Sequence, residues 1–344
     1  MTSSSPVLVT GGSGFIAGHC ILQLIDAGRS VRATLRSTSR EAAVRETLQQ
    51  AGATNLDRLE FVAADLTSDD GWDAAMSGVD AVLHVASPVM PGQVKDEQTV
   101  IGPAREGAVR VIEAARRAGV RRVVLTSAFH AVGFGHGPID HVFTEDDWSP
   151  LDGPGMDAYG RSKVLAERAA WDAVADSGPE LVTILPVAVV GPLLGDAISG
   201  TNHLLQEMLD GSMPGTPDIA IPFVDVRDVA TAHVRAIDAE GAAGKRILVA
   251  AQERATPMKD VAALLRETFG DDAKKVPTRS IPSFLLRIAG RFRADVRGVV
   301  PDLGYVKRVS TTREHELLGL EPRPWKEAVV DGARSMIERG LTSK

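Results

Sequence analysis

Thr10-Gly11-Gly12-Ser13-Gly14-Phe15-Ile16-Ala17 follows the apolar run Val7-Leu8-Val9 directly and opens a helical pattern from Phe15 to Ala27. A strand, a glycine-rich turn and a helix in this order bring a helix N-terminus up to an anionic group. Gly11 allows the tight turn, Gly14 lets backbone approach a pyrophosphate, and Ala17 is small enough for close helix–strand packing. The free N–H groups of the first helical turn and the positive end of the helix dipole then face the phosphates. The same glycines could serve only a turn before a packed helix. The strand–turn–helix setting favours a nucleotide, with Gly11, Ser13, Gly14, Phe15 and Ile16 around it.

The rest of the first half repeats that alternation. Val31 to Leu35 precedes a charged helix from about Ser39 to Gln50, Leu59 to Ala63 leads into Asp65-Leu66, and Ala81 to Val85 ends at Ala86-Ser87-Pro88. A long helix over Val100 to Ala118 then delivers the strand Arg122 to Leu125. Strands separated by helices are built from right-handed βαβ units, so the fold expected is α/β, a doubly wound parallel sheet of Rossmann type. After Leu181 to Val190, prolines and glycines crowd the chain up to Pro222. One return strand, Ile221 to Val224, precedes a helix over Asp225–Ala239, and Ile247 to Ala250 reads as another strand. From about Thr256 the pattern is mostly helical. The division expected is a nucleotide-binding domain over 1–186 with return segments at about 219–250. Residues 187–218 and 251–344 then form a smaller, mostly helical substrate lobe.

Composition narrows the function. The 344 residues carry 38 Lys and Arg against 45 Asp and Glu, a net charge of −7, which gives no electrostatic driver toward nucleic acid or an anionic membrane. Cys20 is the one cysteine, so neither a disulfide framework nor a thiolate zinc site can form, which fits a reducing cytoplasm. Met1 to Pro6 has no basic and apolar signal pattern and reads as a short frayed tail. The apolar run from Leu181 is broken by Pro186, Gly191 and Pro192, short of a membrane span.

Two clusters of side chains point to chemistry. The second strand ends at Leu35-Arg36, about 20 residues past the glycine turn, where a carboxylate for an NAD ribose would stand. Arg36, with Arg40 one turn on, instead offers guanidinium groups suited to a 2′-phosphate, so NADP(H) is the cofactor expected. Tyr159-Gly160-Arg161-Ser162-Lys163 places a phenol and an ammonium four residues apart, on one face of a helix. A positive charge that close should lower the tyrosine pKa from about 10 and suit it to proton transfer with an alkoxide.

Together with Val31-Arg32-Ala33-Thr34-Leu35-Arg36, His84-Val85-Ala86-Ser87-Pro88 and Pro222-Phe223-Val224-Asp225-Val226-Arg227-Asp228-Val229-Ala230, these motifs make the chain resemble an extended short-chain dehydrogenase/reductase. It is most similar to the dihydroflavonol-4-reductase-like carbonyl reductases, over nearly its whole length. The resemblance implies that Asp65 and Leu66 flank the adenine, and that Ala86 and Ser87 lie along the cofactor. It also implies that Lys163 holds the nicotinamide ribose and that Pro186 and Val189 face the nicotinamide. In one respect the chain departs from the family. Thr126-Ser127-Ala128 stands where the family has Thr-Ser-Ser, so alanine occupies the position of the serine that bonds the substrate oxygen. Ser127 is the residue chosen to supply that hydroxyl, with Thr126 and His130 as alternatives, and with a site that runs weakly or does something other than the family's reduction as the third possibility.

The activity this implies is NADPH-dependent reduction of an aldehyde or ketone, or its reverse, with Ser127, Tyr159 and Lys163 as the catalytic set. A nucleotide-sugar epimerase or dehydratase, a sterol-type dehydrogenase, or an NADP-binding sensor without turnover are the other readings. His130, His136, His141, Asp140, Glu145, Asp146 and Asp147 crowd one glycine-rich segment without the spacing of a metal site. That segment reads as a mobile loop over the carbonyl pocket, with His130 against the substrate. His84 reads as a core histidine and Cys20 as packing. Arg287, Arg291, Arg293 and Arg297 read as a solvated face. The partner expected is a small carbonyl or alcohol, bound by a monomer or a homodimer.

Overall fold

The computed structural model describes residues 5–88 and 96–343; the first four residues of the expected N-terminal tail lie outside the described residues. Seven parallel strands make the central sheet: β1 (Val7–Val9), β2 (Val31–Leu35), β3 (Leu59–Ala63), β4 (Ala81–His84), β5 (Arg122–Thr126), β6 (Glu180–Pro186) and β7 (Lys245–Val249), in the spatial order 3-2-1-4-5-6-7. The order reverses between β1 and β4, where Val9 pairs Ala33 on one side and Leu83 on the other. A crevice opens at the carboxyl ends of strands that part in this way, and ligands of such sheets bind there.

Both faces of the sheet are covered, which is why its strands read as continuous apolar runs rather than alternating ones. Val7 and Val9 point to one face, against α1 (Phe15–Asp26), while Leu8 points to the other. Between them lie α2 (Glu41–Gln50), α3 (Trp72–Met76), α4 (Gln98–Arg117) and α5 (Ala158–Val174). Val111, Ile112 and Ala115 of α4 and Ala170 of α5 close the Leu8 face. The first face is completed after α6 (Asn202–Asp210) by α7 (Val226–Ala236), through Val229, Ala230 and Ala236.

The run expected from Leu181 to Val190 as one strand divides at Val187. Pro186, which has no N–H to carry the ladder on, ends β6, and Ala188–Val190 leaves the sheet to pair in parallel with Phe223–Asp225. Beyond β7 come α8 (Met258–Phe269), α9 (Ser283–Ala289), α10 (Ala294–Val299), α11 (Thr312–Leu318) and α12 (Trp325–Glu338). A third apolar cluster joins Leu205 and Met208 of α6, Val261 and Leu265 of α8, and Val329 and Met336 of α12. α9 differs from these: none of its residues is buried, and Phe284, Leu285 and Ile288 are exposed. Among the described residues, no helix is long and apolar enough to cross a membrane.

Candidate active site

The turn after β1 is shaped by contacts that only small residues allow. Gly11 holds φ +70°, and a Cβ there would stand 3.0 Å from Ala86 Cβ. Gly12 has no such dihedral, yet a Cβ on it would fall 2.8 Å from Ala33 Cβ. Gly11 N–H donates to Thr34 Oγ1 at 2.9 Å, and Gly14 N–H to Gly11 O at 2.8 Å. Thr10 ties the turn to β4, because its Oγ1 accepts Ala86 N–H at 2.9 Å and lies 2.9 Å from His84 Nδ1. α1 then begins at Gly14 with no side-chain cap and no acidic residue in its first turn. Its leading N–H groups are left for an anion, so the cradle fits a pyrophosphate.

At the end of β2 a short 3₁₀ turn, Thr38–Arg40, places Arg36 and Arg40 on the surface. Among the described residues neither guanidinium forms an ion pair or side-chain hydrogen bond. Asp65 accepts both Thr67 N–H and Thr67 Oγ1–H, which hold its carboxyl below the ordinary aspartate range with help from Arg36 and Arg110. Leu66 packs over Gly107 of α4, where a Cβ would stand 3.0 Å from Leu66 Cβ. Ala86 and Ser87 lie half-buried just past β4, Pro186 is buried at the end of β6, and Val189 is half-buried opposite Val224.

Tyr159 and Lys163 are set by the start of α5. Asp157 caps the helix, its Oδ1 accepting Gly160 N–H at 2.7 Å, so Tyr159 falls in the first turn and Lys163 one turn later. Lys163 Nζ is 5.7 Å from the centre of the Tyr159 ring. The expectation of a lowered tyrosine pKa is not met. Burial, with the Asp157 charge added, pushes Tyr159 up to about 12. Burial also lowers Lys163 to about 8, against the pull of Glu167. Desolvation outweighs the attraction across the pair, so the phenol keeps its proton at neutral pH.

Ser127, chosen as the polarising hydroxyl, is engaged elsewhere. Its Oγ donates to Glu167 Oε2 at 2.7 Å, and a hydroxyl has one proton to give. Glu167 also accepts from Thr183 Oγ1 at 2.8 Å and from Arg246 Nε at 2.8 Å, all in the buried interior. Thr126 is spent as well. His233 Nδ1 donates to Val229 O at 2.7 Å, which leaves its Nε2, 2.6 Å from Thr126 Oγ1, as the acceptor of the threonine proton. His130 lies against Tyr159, the ring centres 4.9 Å apart and nearly perpendicular, and stacks on Phe134 at 4.0 Å.

The segment after His130, read as a mobile loop, is tied to the core at several points. Phe143 is fully buried, Val142–Phe143 pairs with Arg308–Val309, Glu145 Oε1 accepts Leu248 N–H, and Arg246 donates to the carbonyls of Glu145 and Asp147. His136 and His141 turn to Val132 O and Asp147. His84 is a core histidine, brought down to about 3 by burial and by Lys163, and Cys20 is a buried thiol whose pKa burial raises. Arg287, Arg291 and Arg293 are exposed. The sequence reading missed Asp157, Glu167 and Arg246. The first had a signal, an aspartate at the helix start, and the second is one turn past Lys163 on the same face.

Comparisons with known proteins bear on the family and the fold. The model of the NAD dependent epimerase/dehydratase family matches residues 7–250. Cinnamoyl-CoA reductase 2 of Arabidopsis thaliana is 33% identical over 97% of this chain and 93% of its own. Tetraketide alpha-pyrone reductase 2 of the same plant is 35% identical over 71% of this chain and 77% of its own. Among solved structures, yeast methylglyoxal/isovaleraldehyde reductase Gre2, complexed with NADPH, superposes with a TM-score of 0.78 at 24% identity, over 98% of this chain and all of the other. The chain belongs to the NAD dependent epimerase/dehydratase family, the extended short-chain dehydrogenases/reductases.

Proposed function

We propose that the protein is an NADPH-dependent reductase of aldehydes or ketones. The observation that carries this reading is the pairing of Tyr159 with Lys163 one helical turn apart, with the Lys163 ammonium 5.7 Å from the phenol ring. The relatives named above are reductases, and the one superposed here holds NADPH. Arg36 and Arg40, without protein partners among the described residues, suit the extra phosphate of NADPH. The open N-terminus of α1 suits its pyrophosphate.

Bound there, NADPH would supply the hydride that the carbonyl carbon receives. Tyr159 gives its proton to the oxygen as negative charge develops on it, and is recharged from solvent after the alcohol forms. Its high pKa keeps that proton in place at pH 7 until an alkoxide is there to take it. Lys163 stands beside the phenolate left behind and stabilises it, and would hold the nicotinamide ribose. Pro186 and Val189 offer an apolar wall to the ring. The absence of an acid at the end of β2 favours this reading over an epimerase with retained NAD.

The test is NADPH oxidation across aliphatic, aromatic and α-dicarbonyl substrates. Tyr159→Phe should lower kcat by about 10²–10⁴-fold while the NADPH Kd stays within about threefold. Activity close to wild type in that variant refutes the assignment. NAD carried tightly through purification would turn the reading toward an epimerase.

A further inference from the structure

We propose that His130 donates the second hydrogen bond to the substrate oxygen, in place of the hydroxyl that Ala128 lacks. The inference rests on the reductase reading above and deepens it. Reduction puts negative charge on an oxygen inside a dry pocket, and a preorganised second donor at that point lowers the barrier. Tyr159 is one donor. The end of β5 must supply another or the site runs without it.

Each group at that strand end can be followed in turn. Thr126 gives its proton to His233, Ser127 gives its proton to Glu167, and Ala128 has none. Neither hydroxyl is easily redirected. Turning Ser127 away would take a donor from a buried carboxylate that Arg246 and Thr183 also bind, and turning Thr126 away would leave His233 Nε2 buried without a partner. Beyond Ala128 the chain makes a single 3₁₀ turn, Phe129–Ala131, closed by Ala131 N–H to Ala128 O at 2.9 Å. That turn sends Phe129 into the core, between Phe134 and Phe143, and His130 to the side of Tyr159.

The imidazole is held as a donor should be. Its plane is fixed by the stack on Phe134, 4.0 Å away and tilted by 10°. Among the described residues, neither ring nitrogen has a protein hydrogen-bond partner, unlike those of His84 and His233. Asp157, Lys307, Lys163 and Asp302 are the charged groups that face it, and burial outweighs them all, bringing its pKa down to about 4. At pH 7 the ring is neutral, so it carries one N–H to offer and does not compete with Tyr159 as an acid.

His130→Phe keeps a flat ring on Phe134 and removes the N–H. Its kcat/KM should fall by about 10²–10³-fold, mostly in kcat, with NADPH Kd and Tm unchanged. Adding Ala128→Ser to that variant returns a hydroxyl to the same oxygen and should recover at least about tenfold. Turnover of His130→Phe within about threefold of wild type overturns the proposal while leaving the reductase reading intact. Folding of the variants is not required for a second measurement. With ¹⁵N-histidine in wild-type protein, a short aliphatic aldehyde added to the NADP⁺ complex should move one His130 ring resonance. A spectrum unchanged at saturating aldehyde overturns the proposal, including in the case where wild type shows no turnover and the reductase reading has failed.

Discussion

Arg36 and Arg40 are two exposed side chains that, among the described residues, form no ion pair or side-chain hydrogen bond, a few residues apart across the end of β2. Charge-assisted hydrogen bonds of a guanidinium to phosphate contribute roughly 1.5–3 kcal/mol each. Replacing both arginines by alanine should therefore raise the NADPH Kd by about 100-fold or more, while NADH binding, followed by fluorescence titration, changes little. Equal losses for both cofactors would show that the arginines do not read the 2′-phosphate. At this scale the sequence tells which groups a short helical spacing brings together, as with Tyr159 and Lys163. It misjudged the tyrosine pKa, because a spacing of four residues says that two groups meet but not how dry the place is. For a related reason it gave no sign of where the Ser127 proton goes. The partner that takes its proton, Glu167, lies 40 residues away in the chain.

The elements that frame the crevice were legible because the inner strands are buried on both sides and each helix has one apolar face. Val31–Leu35 and Leu59–Ala63 stand where their apolar runs predict. The segment from His130 to Asp147 was not legible. Its glycines and charges read as a mobile loop over the pocket, whereas Arg246 on β7, about 100 residues distant in the chain, binds the carbonyls of Glu145 and Asp147. The glycine turn makes a measurable claim at this scale. Because a Cβ on Gly12 would stand 2.8 Å from Ala33 Cβ, Gly12→Ala forces β1, α1 and β2 apart. It should cost about 1–3 kcal/mol in urea unfolding, most of it restored by adding Ala33→Gly. A pair of variants whose losses simply add would mean that this contact is not what makes glycine necessary.

Across the whole molecule, several ionisable groups are held in states that water would not favour. Burial lowers His19 and His233 to about 4 and His84 to about 3, from 6.5 in the unfolded chain. Between those values the unfolded chain binds protons that the folded one refuses, so stability is full above pH 6.5 and is lost as the pH falls. Each group contributes about 1.4 kcal/mol per pH unit in that window. Glu314 runs the other way. Among the described residues its buried Oε1 has no hydrogen-bond partner, and burial pushes it up to about 9, so the folded state holds a proton that the unfolded state releases above about pH 4.5. The urea midpoint should therefore peak near pH 6–7, falling steeply toward pH 4.5 and more gently toward pH 9. A midpoint that is flat from pH 7 down to 4.5 would contradict the burial of these histidines.

The helix α9 has a consequence for how such a molecule can change. None of its seven residues is buried, so substitutions at exposed Phe284, Leu285, Arg287 and Ile288 cost the fold little, in contrast to the turn after β1, where one methyl group is felt. Novelty in this chain can accumulate at Ser283–Ala289 without being weighed against the nucleotide cradle. A lineage, or an engineer, is free to rewrite that surface first.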